Sequence, residues 1–249
     1  MIALAAFVFL LMGAAVKGII GIGLPMIAIP MLTLVAGLPN ALAIVVLPMI
    51  AANLWQVWQF RQGGTNRVPM RTFLGSGAVG VALGTWLLTR VPASWLEVML
   101  GLTMMIYLVR SAFSKDALFP RERALKLAPV AGLLSGALHG ATGISGPIGI
   151  TYLHAMRQSR PDFIYSTGLM FLGFTVIQTP MLISAGFLNL HTLTIGLAGI
   201  PAVVLGLWLG NAAASRVDAR LFNRLVLLVL VWTSLSLLWP NISEWFGFG

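Results

Sequence analysis

Lys17-Gly18-Ile19-Ile20-Gly21-Ile22-Gly23-Leu24-Pro25 and, 122 residues later, His139-Gly140-Ala141-Thr142-Gly143-Ile144-Ser145-Gly146-Pro147 hold corresponding places in this 249-residue chain. Gly18, Gly21 and Pro25 recur as Gly140, Gly143 and Pro147. The same offset, without a gap, carries Pro39 to Pro161, Gln56 to Gln178, Gly64 to Gly186, Gly77 to Gly199, Gly84 to Gly206 and Trp86 to Trp208. Four inserted residues then move the offset to 126, where Val91 and Ala93 meet Val217 and Ala219. One unit is written twice. Duplicated apolar halves, broken by glycine and proline at matching places, mark a secondary transporter.

Composition fixes the class. Hydrophobic residues make up 59% of the chain, charged residues only 8%, and mean hydropathy is +0.96. A soluble domain of this length cannot cover its surface with so few charges. The apolar stretches are continuous rather than alternating, which predicts an all-α polytopic membrane protein instead of a barrel. No cysteine is present, so disulfides and thiolate metal sites are excluded. The stretch Met1 to Val16 lacks a basic n-region and is expected to be structural, not a cleaved signal. The net charge of +9 sits in short loops between apolar segments. It is expected to set topology and meet lipid headgroups, not nucleic acid.

Eight apolar stretches are read, at roughly 2–36, 41–60, 72–89, 95–113, 127–156, 163–185, 192–212 and 221–239. Most suit one crossing of a ~30 Å hydrocarbon core. As a single helix, 127–156 would be about 45 Å long. Its glycines and Pro147 instead predict two half-length helices joined by a non-helical turn. Arginine placement agrees. If 127–156 leaves and returns on one side, Arg61, Arg67, Arg71, Arg110, Lys115, Arg121, Arg123 and Lys126 share the inside with Arg157, Arg160, Arg216, Arg220 and Arg224. Only Arg90 is then left outside, as the positive-inside rule requires. The expected architecture is two inverted repeats, each a broken helical hairpin followed by three transmembrane helices. The first repeat covers 1–113, a basic cytoplasmic linker 114–126, and the second repeat 127–249.

The breaks are the first candidate site. Glycine lets backbone leave the helix and lets a ligand approach it, and proline suits the first turn of the following segment. Helix N-termini facing the membrane interior attract anions. Lys17 and His139 precede the two breaks at equivalent positions. A lysine among apolar residues is costly, so it either counters a bound anion or snorkels to an interface. His139 is read as a lining residue, a proton-sensitive switch or a packing histidine. Asn53 and Gln56, matched by Thr175 and Gln178, lie three apart on one helix face and either line the pore or bond helix to helix. The expected substrate site is Lys17, Gly18, Gly21, Gly23, Pro25, Asn53, Gln56, His139, Gly140, Thr142, Gly143, Ser145, Gly146, Pro147, Thr175 and Gln178. Thr142 and Ser145 supply hydroxyls.

The six carboxylates (Glu97, Asp116, Glu122, Asp162, Asp218 and Glu244) fall in loops or near segment ends. None is placed to relay protons or hold sodium at the midplane. Two basic residues without an acid favour an anionic cargo. Twelve methionines read as packing rather than metal sites, and neither cofactor nor metal is expected. Rivals are an anion channel and a rhomboid-like intramembrane serine protease, the latter with Ser145 as nucleophile and His191 or His154 as base. The first half has no serine at the place of Ser145.

The paired segments Gly18-Ile19-Ile20-Gly21-Ile22-Gly23-Leu24-Pro25 and Gly140-Ala141-Thr142-Gly143-Ile144-Ser145-Gly146-Pro147, in a duplicated chain of this length, resemble the TauE/SafE sulfite-exporter family. The resemblance covers essentially the whole chain. It implies a multi-pass permease of the bacterial inner membrane, moving sulfite, sulfonates or related small organic anions. The family's glycine run before the proline reads here as Ile22-Gly23-Leu24 and Ile144-Ser145-Gly146. Oligomeric state is left open.

Overall fold

The computed structural model describes residues 1–62, 70–113, 121–156, 158–214 and 219–246. Gly64, Arg67, Lys115, Asp116, Arg157, Arg216, Val217 and Asp218 lie outside these, as do the side chains of Arg110, Arg121, Arg123, Arg220, Arg224 and Glu244. Every regular element among the described residues is helical. The order is α1 (Ile2–Ile20), α2 (Leu24–Ala36), α3 (Leu38–Gln59), α4 (Met70–Arg90), α5 (Ala93–Phe113), α6 (Arg121–Thr142), a π-helical turn (Gly146–Ile150) running into α7 (Thr151–Ala155), α8 (Arg160–Ser184), α9 (Leu190–Ala213) and α10 (Ala219–Phe246). Five of them, α1, α3, α4, α8 and α9, are long and apolar enough to cross a membrane. Large apolar side chains such as Trp86, Trp208 and Val204 stand on the outside, the pattern of helices solvated by lipid.

Both expected breaks are present, at 21–23 and 143–145. The limbs are not the equal half-helices that the sequence suggests. α1 has 19 residues and α6 has 22, whereas α2 has 13 and the second return limb is a short π turn plus five α-helical residues. The reason is local. Nothing before Lys17 or His139 stops the first limb early; only the left-handed glycines do. The part of the 114–126 linker from Arg121 onward is already helix.

Helix packing is set by small residues. Gly77, Gly80 and Gly84 of α4 meet Gly132, Gly136, Ala137 and Ala141 of α6 at backbone-to-backbone distance. Gly206 and Gly210 of α9 meet Ala14, Ala15 and Gly18 of α1 in the same way. In lipid there is no hydrophobic drive between helices, so such close approach supplies the association through dispersion contacts. Contacts follow the same residue order on both members of each seam. Thus α1 and α9 run parallel, as do α4 and α6. Exchanging α1–α5 for α6–α10 turns one seam into the other, and pairs α3 with α8 and α5 with α10 in both readings.

Candidate functional site

The first break is held by backbone and amide together. Gly21 takes a left-handed conformation (φ 84°) and its N–H donates to Lys17 O at 2.7 Å, ending α1. Only glycine enters that region without cost. Leu24 and Pro25 then open α2, with Gly23 as a cap that offers no side chain. Gln56, one helix away on α3, donates from Nε2 to Gly21 O at 2.7 Å, taking up a carbonyl that the ended helix leaves over. Its Oε1 is buried without a partner.

Lys17 sits in the last turn of α1 with 3% of its surface exposed. Its ammonium donates to Asn53 Oδ1 at 2.7 Å, and Asn53 Nδ2 donates to Met49 O at 2.8 Å. The Phe171 ring centre lies 6.0 Å from Nζ. The lysine therefore does not snorkel away from the helices; it points into them. Among the described residues no carboxylate pairs with it.

Beside it opens a cavity of about 280 Å³, bounded by Lys17, Gly18, Gly21, Ala52 and Gln56. Arg160 stands exposed on its lining and donates from Nη2 to Ile19 O at 3.3 Å. Sequence reasoning missed Trp55, Gln59, Arg160 and Asn211 as lining residues. Gln59 was within reach, three residues after Gln56 on the same helical face. Arg160 and Asn211 come from the second half, and nothing in their local sequence points to the first break.

The second break repeats the backbone but not the opening. Gly143 (φ 74°) donates to His139 O at 2.7 Å, as Gly21 does to Lys17 O. Gln178 Nε2 donates to Gly140 O at 3.0 Å and reaches His139 O at 3.5 Å. Thr142 Oγ1 donates to Leu138 O at 2.8 Å and accepts from the Ile144 N–H at 3.3 Å. Thr175 Oγ1 donates to Phe171 O at 2.6 Å within its own helix, so it does not copy the Asn53 role. Gly146 and Pro147 open the π turn. His139 is 1% exposed, packs against Phe171 (6.1 Å) and Phe174 (5.5 Å), and neither ring nitrogen has a partner. A cavity of about 450 Å³ near the ends of α4 and α8 is lined by Thr85, Thr89 and Met181, which correspond to Leu207, Asn211 and Gln59. His139, Gly140 and Gly143 are not part of its lining.

The family model for the sulfite exporter TauE/SafE matches residues 5–237, nearly the whole chain. The chain belongs to the TauE/SafE family. No curated protein and no solved structure matches it. TauE/SafE proteins are membrane transporters, not enzymes, which sets the protease reading aside. The residues agree with that. Ser145 Oγ is buried without a hydrogen-bond partner. His191 opens α9, where its backbone N–H donates to the Asn189 cap at 3.0 Å, and His154 lies edge-on to Phe163 at 6.0 Å. Among the described residues of this TauE/SafE chain, no group of three potential ligands gathers to hold a metal ion.

Proposed function

We propose that this TauE/SafE transporter carries a small anion, sulfite or an organosulfur relative, across the bacterial inner membrane by alternating access. The observation that carries the reading is Lys17: a buried ammonium, paired with no acid among the described residues, facing a cavity. Leaving such a charge uncompensated in a membrane protein is expensive, and an entering anion supplies the missing partner. Asn53 orients the ammonium. Backbone at the Gly21 turn and the N-terminus of α2 add favourable dipoles.

The two halves are taken to be inverted. The parallel α1–α9 and α4–α6 seams, together with arginines gathered on one side, support this. The cavity then opens to the cytoplasm, where Gln59, Phe60 and Arg160 line it. The His139 region is the counterpart that is shut in this state. Inverted halves can exchange packings, so that one break opens as the other closes. Phe171, which neighbours both Lys17 and His139, separates the two. With an interior-negative potential, each unit of anionic charge gains ~2.3 kcal/mol per 100 mV on leaving the cell. Export therefore requires no coupling ion.

The test is a thermal-shift series on the purified protein with sulfite, sulfate, thiosulfate, short sulfonates and carboxylates, followed by flux in proteoliposomes. Selective stabilisation by one anion class, lost in Lys17→Ala, is expected, since a ligand that binds only the folded state raises its apparent stability. Equal stabilisation of wild type and Lys17→Ala would refute the site.

A further inference from the structure

The cavity beside Lys17 adjoins a groove on the outward face of the helices. A second cavity of about 380 Å³ lies between α3 and α9, and Ala52, Trp55, Leu207 and Asn211 line both. With four lining residues in common, the two spaces adjoin. Their chemistry differs sharply. One ends at Lys17, with Arg160 on its wall. The other is bounded by Ala51, Val203, Val204 and Trp208, all apolar. It lies on the outward side of the helices, where Trp55 is 51%, Val204 61% and Trp208 66% exposed. A bare oxyanion fills the first space only.

We infer that the combined site accepts a single-chain amphiphilic anion, an alkyl sulfonate type, with its head at Lys17 and its tail along the α3–α9 groove. This rests on the anion-site reading above and extends it to the shape of the ligand. A cationic amphiphile is excluded by Lys17 and Arg160. A two-chain phospholipid fits less well, because its bulky glycerophosphate would have to reach a lysine with only 3% of its surface exposed.

The experiment uses the full-length protein in phosphatidylcholine nanodiscs, titrated with methane-, butane- and octanesulfonate and read by calorimetric affinity. Wild type is expected to bind all three, with affinity rising about fourfold for each methylene buried. Filling the groove with Ala51→Phe, or with Val204→Trp at a lipid-facing position, should leave methanesulfonate affinity unchanged and flatten the chain-length series. Lys17→Gln should abolish binding at every length. Three results would overturn the inference: a flat series in wild type, a series unchanged in both filled variants, or a series erased by anionic phospholipid while methanesulfonate still binds. The last assigns the groove to a membrane lipid. No methanesulfonate binding in wild type strikes the anion site itself, so the two failures are told apart.

Discussion

Ala52 and Phe174 occupy the same place in the two halves, 122 residues apart, and they differ in the space they leave beside the break. Ala52 lines the cavity beside Lys17. The Phe174 ring instead lies against His139 (5.5 Å) and over Gly77, stacked on Phe73 at 6.0 Å. One methyl group leaves space where the other half carries a phenyl ring. Ala52→Phe should therefore fold, since the equivalent site tolerates the ring, yet lose anion binding by tenfold or more. Isothermal titration with the best anion checks this. Undiminished affinity would mean that the cavity is not the site.

Lys17→Met removes a buried charge that donates to Asn53 Oδ1. Without ligand the variant should be as stable as wild type or more so, because replacing a buried ion by an apolar group of similar volume is often neutral or stabilising. With saturating anion, wild type should gain about 2.7 kcal/mol at a hundredfold excess over Kd, and the variant nothing. Thermal melting with and without anion separates the two effects. A variant that melts lower in both conditions would make Lys17 purely structural.

Gln56→Leu and Gln178→Leu each delete an amide that bonds the carbonyl of a break. Interhelical hydrogen bonds in membranes are worth about 0.6 kcal/mol on average, up to about 1.7, so each loss of stability should be modest. Binding should respond unequally. Gln56 also lines the cavity beside Lys17, whereas Gln178 is not part of its lining. A stability assay paired with anion titration should find affinity lowered in Gln56→Leu and near normal in Gln178→Leu.

Gly21→Leu and Gly143→Leu meet a double obstacle. The left-handed backbone costs a side chain about 1–2 kcal/mol. The added Cβ would press on the Ile164 side chain in one case and on Ile29 and Leu42 in the other. Ile164 and Leu42 are themselves equivalent positions, so both variants should lose transport to a similar degree while retaining helical content. Proteoliposome flux beside circular dichroism tests the pair. Normal flux in Gly21→Leu would show that the turn plays no part in the cycle.

Much of the fold was legible because lipid simplifies the rules. Backbone must be helical, and apolar length sets the spans. The breaks were legible because positive φ demands glycine at Gly21 and Gly143, and proline suits the first turn beyond. Limb lengths were less so. The run 127–156 marks its break, but not that α6 starts earlier, at Arg121, or that the return limb is a short π turn and five α-helical residues.

The sequence by itself determined the duplication, the helical membrane class, the two breaks and a lysine with no acid in its segment. These follow from local covalent and solvation constraints that each stretch meets on its own. Only the tertiary structure decided that Gln56 and Gln178 reach back to the broken turns, that Arg160 of the second half lines the first half's cavity, and that Phe174 fills what Ala52 leaves open. Those outcomes depend on which helices the glycine seams press together, and side chains far apart in the chain share a cavity only after backbones have met.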